Sequence, residues 1–161
     1  MLKTRLLHPE ILQALASNGH GAKVLIADGN FPISTCTPMS SKKVFLNLAP
    51  GLMTVTDVLK VLKEYIPIES VMVMVPKDEL SQSIHKEFIH IIGDPINITA
   101  LKRFEFYEQA KSGDVCLAIA TGETRRFANL LLEIGVVKAE PAVLLNEENI
   151  NNELPRTHHT V

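Results

Sequence analysis

Apolar positions along the chain alternate between a helical and an extended period. In residues 9–17, Ile11, Leu12 and Leu15 fall at helical spacing, with Pro9 suited to a first helical position and Gly19 to a left-handed cap. Lys23, Val24, Leu25, Ile26 and Ala27 then form a run apolar enough for a buried strand, and Asp28-Gly29-Asn30 turns the chain at its end. Residues 31–41 are rich in Pro, Thr and Ser and read as a loop before a short strand at 44–46. Thr54-x-x-Asp57 resembles a capping box, opening a helix whose stripe of Val58, Leu59, Leu62 and Ile66 ends before Pro67. Residues 68–75 carry the continuous run Val71-Met72-Val73-Met74-Val75, which suits a strand covered on both faces and closed by Pro76. Leu80, Ile84, Phe88 and Ile91 predict a helix over 78–92, stopped by Gly93-Asp94-Pro95. Ile96 and Ile98 alternate as in a strand, residues 103–111 have helical character, and 115–120 form a buried strand leading into Thr121-Gly122-Glu123. Residues 127–137 fit a helix or a turn followed by a strand, and periodicity does not separate the two.

Helices alternating with buried strands place the chain in the α/β class, where sites form at the carboxyl ends of strands. With 161 residues and 46% hydrophobic composition, the expectation is one domain with a real core over residues 1–138. Residues 139–161 are rich in Asn and Glu, contain Pro141 and Pro155, and show no sustained apolar period. They read as a polar tail, disordered or bound to a subunit. Net charge is −2, and the basic pairs Lys42-Lys43 and Arg125-Arg126 are too short to track phosphates, which argues against nucleic acid as a partner. Cys36 and Cys116 belong to no C-x-x-C or His-Cys cluster, so reduced thiols and a cytoplasmic location are expected. No apolar stretch approaches the roughly 20 residues of a membrane span and no signal core is present, so neither a membrane nor secretion is expected.

Candidate chemistry centres on Gly19-His20-Gly21 and Asp28, which offer one imidazole and one carboxylate to a single cleft. The negative end of the preceding helix favours imidazolium, while a histidine titrates near neutral pH in any case. On these residues alone, site and simple turn chemistry fit equally well. His85 and His90, five residues apart, fall on different helix faces and read as solvated surface histidines. No G-x-G-x-x-G, G-x-x-x-x-G-K-[ST] or G-x-S-x-G motif occurs, and no metal or cofactor motif is present. The available tools are then His20, Asp28, Arg103, Tyr107, Glu123 and Asn129, a set suited to proton transfer on a polyol or carbonyl.

Met1-Leu2-Lys3-Thr4, Gly19-His20-Gly21, Asp28, Phe31-Pro32, Arg103-Phe104 with Phe106-Tyr107-Glu108, and Thr121-Gly122-Glu123 appear in one order. In that combination the chain resembles the D-ribose pyranase and L-fucose mutarotase family over residues 1–138. It is closer to the fucose branch, because Arg-Phe-x-Phe-Tyr-Glu stands where ribose pyranases usually carry a histidine-containing segment. The resemblance implies a cofactor-free sugar isomerase with a three-layer α/β/α sandwich around a central mixed sheet. It also implies a ring-like homo-oligomer, commonly a decamer, with sites between neighbouring subunits. His20 matches the family's proton donor, Asp28 and Arg103 match sugar-binding positions, and Phe127-Ala128-Asn129 matches a Tyr-Ala-Asn or Tyr-Gly-Asn sugar-binding segment. On this reading His20 is the acid–base group, and Asp28 either orients it or binds a hydroxyl. Arg103 donates to sugar oxygens, while Asn129 both donates and accepts. Phe127 is the departure: it keeps the family tyrosine's ring and lacks its hydroxyl. Tyr107 is expected at a subunit interface and Glu123 in a structural role, tying its own turn. Three functions follow in order: a mutarotase for L-fucose or a related monosaccharide, a D-ribose pyranase, and a non-catalytic sugar-binding homologue.

Overall fold

The computed structural model describes residues 2–76, 83–93 and 96–138. In chain order these form α1 (Pro9–Ala16), β1 (Lys23–Ala27), β2 (Lys42–Phe45), α2 (Val55–Leu62) and β3 (Ile68–Val75). They continue with α3 (Ser83–Ile92), β4 (Asn97–Lys102), α4 (Arg103–Ala110), β5 (Val115–Ala120) and β6 (Leu130–Ile134). The strands make one mixed sheet in the order β2-β5-β1-β6-β3-β4. β1 runs parallel to β5, β5 to β2, and β3 to β4, whereas β6 lies antiparallel to both β1 and β3. Five strands therefore share one direction, and their carboxyl ends meet the leading end of β6 along one edge.

Alternation along the strands divides the core in two. Val24 and Ile26 of β1, with Leu130 and Leu132 of β6, join the buried residues of α1, α2 and α3 on one face. Leu25 and Ala27 turn to the other face, against Phe106 and Ala110 of α4 and against Phe31, Ile33 and Cys36 of the loop after β1. The result is the expected three-layer α/β/α sandwich. β1 is buried at all five positions because strands flank it on both sides and layers cover both faces.

Several local expectations are sharpened. Thr54 caps α2 as a capping box, its hydroxyl accepting from the Asp57 N–H at 3.2 Å while the Asp57 carboxylate accepts from the Thr54 N–H at 3.0 Å. The helix stops at Leu62, not at Ile66: the Tyr65 and Ile66 N–H groups both donate to the Leu62 carbonyl, tightening the last turn. The left-handed residue after α1 is Gly21, at φ +81°, and not Gly19. Residues 127–137 resolve as a turn plus strand, since Leu130–Ile134 pairs on both sides, with β1 and with β3. The predicted helix over 78–92 is described from Ser83 onward; its first residues and the tail 139–161 lie outside the described residues. At Gly122 only hydrogen fits, because a Cβ would stand 2.2 Å from the Leu52 carbonyl oxygen and 2.3 Å from that of Ala49. Residues 49–53 thereby seat directly on the turn after β5.

Candidate functional site

Mixed direction in the sheet is what assembles the site. Asp28 follows β1, Met74 lies near the end of β3, and Arg103 opens α4 directly after β4. β6 runs the opposite way, so Phe127, Ala128 and Asn129 reach the same edge just before it begins. Together with Asn30, Phe31, Tyr107 and Arg126, these elements enclose a cleft of about 360 Å³. Carboxyl ends of strands flanking a reversal in strand order are the favoured place for ligands in α/β folds.

The floor is a reciprocal pair between residues 101 apart in sequence. The Asp28 N–H donates to Asn129 Oδ1 at 2.8 Å, and Asn129 Nδ2 donates to Asp28 Oδ2 at 2.8 Å. This pairing fixes which end of the asparagine amide faces the carboxylate. Asp28 Oδ1 accepts from the Asn30 N–H at 2.9 Å, and the Asn129 carbonyl accepts from the Met74 N–H at 3.1 Å, tying the floor to β3. Both side chains are buried. Burial raises the Asp28 carboxyl above its ordinary value despite the opposing pull of the hydrogen bonds from Asn30 and Asn129.

The walls are aromatic and cationic. The Phe31 ring meets Tyr107 edge to face at 5.3 Å and Phe106 at 6.1 Å, which places Tyr107 in the cleft wall. Phe127 holds φ +62°, a left-handed conformation uncommon for a bulky residue. Its ring lies 5.8 Å from the Arg103 guanidinium carbon and 5.6 Å from that of Arg126.

His85 is the largest correction to the sequence reading. Expected on the surface, it is 1% exposed. Its Nε2 lies 3.0 Å from the Met74 carbonyl and 3.4 Å from the Phe127 carbonyl. Both partners can only accept, so Nε2 carries the proton and the ring braces the strained Phe127 backbone from behind. Nδ1 is buried without a hydrogen-bond partner, and burial lowers the His85 pKa from its ordinary value, favouring the neutral ring. The missed signal was the spacing of His85, Phe88 and Ile92, which puts the histidine on the buried helix face. His90 is exposed, as expected.

His20 does not join the cleft of its own chain. It precedes β1 at the opposite edge of the sheet, more than half exposed, with Nε2 2.8 Å from the Glu69 carboxylate. The five residues of β1 lie between it and Asp28, a separation of about 16 Å at the rise of an extended strand. One chain thus cannot bring this imidazole and this carboxylate to the same small ligand, contrary to the reading of residues 18–28 as one local site. Ala128 is fully buried, so its side chain packs in the core and its contribution to the cleft is its backbone beside Asp28. Among the described residues, no three His, Cys, Asp or Glu side chains converge as a metal site requires.

A model of the RbsD / FucU transport protein family matches residues 1–137. The chain belongs to this family. It is 38% identical over 146 residues to human fucose mutarotase, covering 84% of this chain and 93% of that protein. It is 31% identical over 138 residues to D-ribose pyranase of Clostridium botulinum, covering 85% and 99%. Among solved structures, Bacillus subtilis RbsD complexed with D-ribose superposes with a TM-score of 0.74 at 30% identity, covering 86% of this chain and all of that one. The fucose mutarotase of Streptococcus pneumoniae in complex with L-fucose gives 0.71 at 28% identity, covering 85% and 100%.

Within this RbsD / FucU framework, the motif Thr121-Gly122-Glu123 acts as a brace. Glu123 Oε1 accepts from the Arg125 N–H and Nε at 3.0 Å each, and Oε2 accepts from an Arg125 terminal nitrogen at 2.8 Å. The other terminal nitrogen of Arg125 reaches Glu87 on α3 at 2.8 Å. Burial alone would raise the Glu123 carboxyl, yet Arg125 holds it below its ordinary value. The brace locks the loop that delivers Arg126, Phe127 and Asn129. Arg126 and Asn30 are cleft residues that the sequence reading did not select; each immediately neighbours a residue or turn that it did.

Proposed function

We propose that the protein is a cofactor-independent sugar mutarotase, an isomerase that interconverts the anomers of L-fucose or a related monosaccharide. The observation that carries this reading is the Asp28–Asn129 pair at the floor of the 360 Å³ cleft, whose walls carry the Arg103 guanidinium and the Phe127 ring. An apolar ring face, a buried carboxylate, an amide and a guanidinium are the groups that recognise a polyol.

Anomer exchange requires only proton movement. A proton leaves the anomeric hydroxyl, another reaches the ring oxygen, and the bond between the anomeric carbon and the ring oxygen breaks to give an open-chain aldehyde. Rotation about the adjacent carbon–carbon bond and the reverse transfers close the ring on the other face. A positioned acid or base contributes about 10²–10⁴-fold to such a step. Asp28 accepts a sugar hydroxyl proton in a hydrogen bond, Arg103 donates to sugar oxygens, and Phe127 stacks on the ring. Within one chain β1 keeps Asp28 and His20 apart, and in this reading Asp28 takes the hydroxyl-binding role. His20 acts as the acid–base group and enters from a neighbouring copy, so the working form is a ring-like homo-oligomer, in our reading a cytoplasmic decamer. Exposure of Met39, Leu48 and Phe104 supports such assembly.

Two-dimensional exchange NMR on the anomeric protons of L-fucose, D-ribose, D-galactose and L-rhamnose tests the proposal directly. Exchange faster than in buffer, and lost in His20→Ala, is the expected result. No acceleration for any sugar overturns the enzyme reading and leaves a sugar-binding homologue. The similarity to D-ribose pyranase and to ribose-bound RbsD favours pyranose–furanose exchange of D-ribose as the second activity, visible in the same spectra.

A further inference from the structure

Three arginines stand around the cleft, and they are engaged differently. Arg125 is taken up by two carboxylates, those of Glu123 and Glu87. Arg103 and Arg126 line the cleft without a carboxylate partner among the described residues, and both guanidiniums lie against the Phe127 ring, at 5.8 and 5.6 Å. They are exposed at the mouth, whereas Asp28 is buried at the floor. At that part of the wall a ligand meets a π-face and two permanent positive charges, with no hydroxyl from residue 127. Planar guanidiniums are matched best by carboxylate or phosphate oxygens, which take paired N–H bonds that a single sugar hydroxyl does not use.

We propose that this cleft selects a reducing monosaccharide carrying an anionic substituent, a carboxylate or a phosphate, held by Arg103 and Arg126 beside Phe127. The proposal rests on the sugar-cleft reading above. Ring opening needs a free anomeric hydroxyl, so the anionic group sits on the terminal carbon at the other end of the sugar. Hexuronic acids and terminal sugar phosphates meet this condition. The sugar's hydroxyls face Asp28 while its charge faces the arginines, keeping the two negative groups at opposite ends of the ligand.

Titration calorimetry and exchange NMR on the whole protein test this with matched pairs: D-galacturonate against D-galactose, and D-ribose 5-phosphate against D-ribose. An exposed ion pair is worth a factor of a few, so two give about tenfold tighter binding of the acid at low salt in at least one pair. This preference should shrink in about 0.5 M salt and fall at least about threefold in Arg126→Gln, as loss of one such pair requires. The first pair reports a carboxylate ligand and the second a phosphate. Equal affinity of acid and neutral sugar in both pairs, or a preference unchanged in Arg126→Gln, overturns the proposal. Accelerated anomer exchange of neutral sugars without acid preference overturns this inference alone. Acid preference without accelerated exchange upholds it and overturns the mutarotase reading instead.

Discussion

Replacing Asn129 by Ala removes both arms of the pair that forms the cleft floor. One arm satisfies the buried Asp28 N–H at 2.8 Å, and the other donates to the Asp28 carboxylate at 2.8 Å. A buried N–H left unpaired costs about 1–3 kcal/mol, and a hydrogen bond to a charged group about 1.5–3 kcal/mol. The cleft lies alongside, so water can enter and recover part of this, leaving a net loss of about 3 kcal/mol from a total of about 5–15 kcal/mol. For a chain of this size that is a fall of about 6–12 °C in Tm. The Asn129 bond also counteracts the burial that raises Asp28, so its loss should move the Asp28 carboxyl further up. Thermal unfolding followed by circular dichroism reads the first effect, and ¹³C NMR titration of the Asp28 carboxyl carbon reads the second. A Tm within about 1 °C of the parent, well inside that expectation, together with an unmoved Asp28 titration, would refute the view that this pair organises the floor.

His85→Gln keeps an N–H donor for the Met74 and Phe127 carbonyls but no longer titrates. His85 is depressed below the ordinary 6.5 when folded, so the unfolded chain binds its proton first as pH falls. Stability of the parent should therefore drop below about pH 6.5, and urea unfolding of the Gln variant should show a smaller drop across that window. Glu123, depressed by Arg125, contributes stability above its ordinary value of 4.5 that is lost as pH falls through its lower folded value. Arg125→Gln leaves a buried carboxylate without its cation, so it should lose about 2 kcal/mol near neutral pH, the guanidinium being partly exposed. With Arg125 gone burial raises Glu123, so the folded form takes up this proton first and the stability gap to the parent, read by urea unfolding at several pH values, should narrow as pH falls. Gly122→Ala must displace the backbone of residues 49–53, since its Cβ would stand 2.2 and 2.3 Å from two carbonyl oxygens. A loss of about 3 kcal/mol is expected by chemical denaturation, and an unchanged midpoint would contradict the close approach.

What could be read from the sequence follows from which interactions are local. α1, α2 and β1 announce themselves through Pro9, the Thr54–Asp57 box and an uninterrupted apolar run, each decided within a few residues. Asp28 was legible because a buried strand ends at a Gly-Asn turn. The partnership of Asp28 with Asn129 was not, since it depends on β6 inserting antiparallel between β1 and β3. Three consecutive leucines carry no period that could announce that insertion. His85 illustrates another limit: testing its spacing against His90 for a metal pair passed over its register with Phe88 and Ile92. The nearness of His20 and Asp28 in sequence was misleading for a simple geometric reason, because a strand between two residues holds them apart. Arg103 and Asn129 stood among the candidate groups by residue type alone, and the family resemblance gave them sugar-binding roles.

The central claim is that His20 of one copy serves the cleft built around Asp28 of another, and mixed subunits test it most directly. Two variants, one carrying His20→Ala and the other Asp28→Ala, are each unfolded, mixed in equal amounts and refolded together. Anomer exchange of the best sugar is then measured by NMR. Each variant alone should exchange no faster than buffer, and the mixture should recover a measurable fraction of parental exchange, because some interfaces then pair an intact histidine with an intact aspartate. A co-assembled mixture as inactive as its components, or a His20→Ala protein that retains parental exchange by itself, would contradict the account.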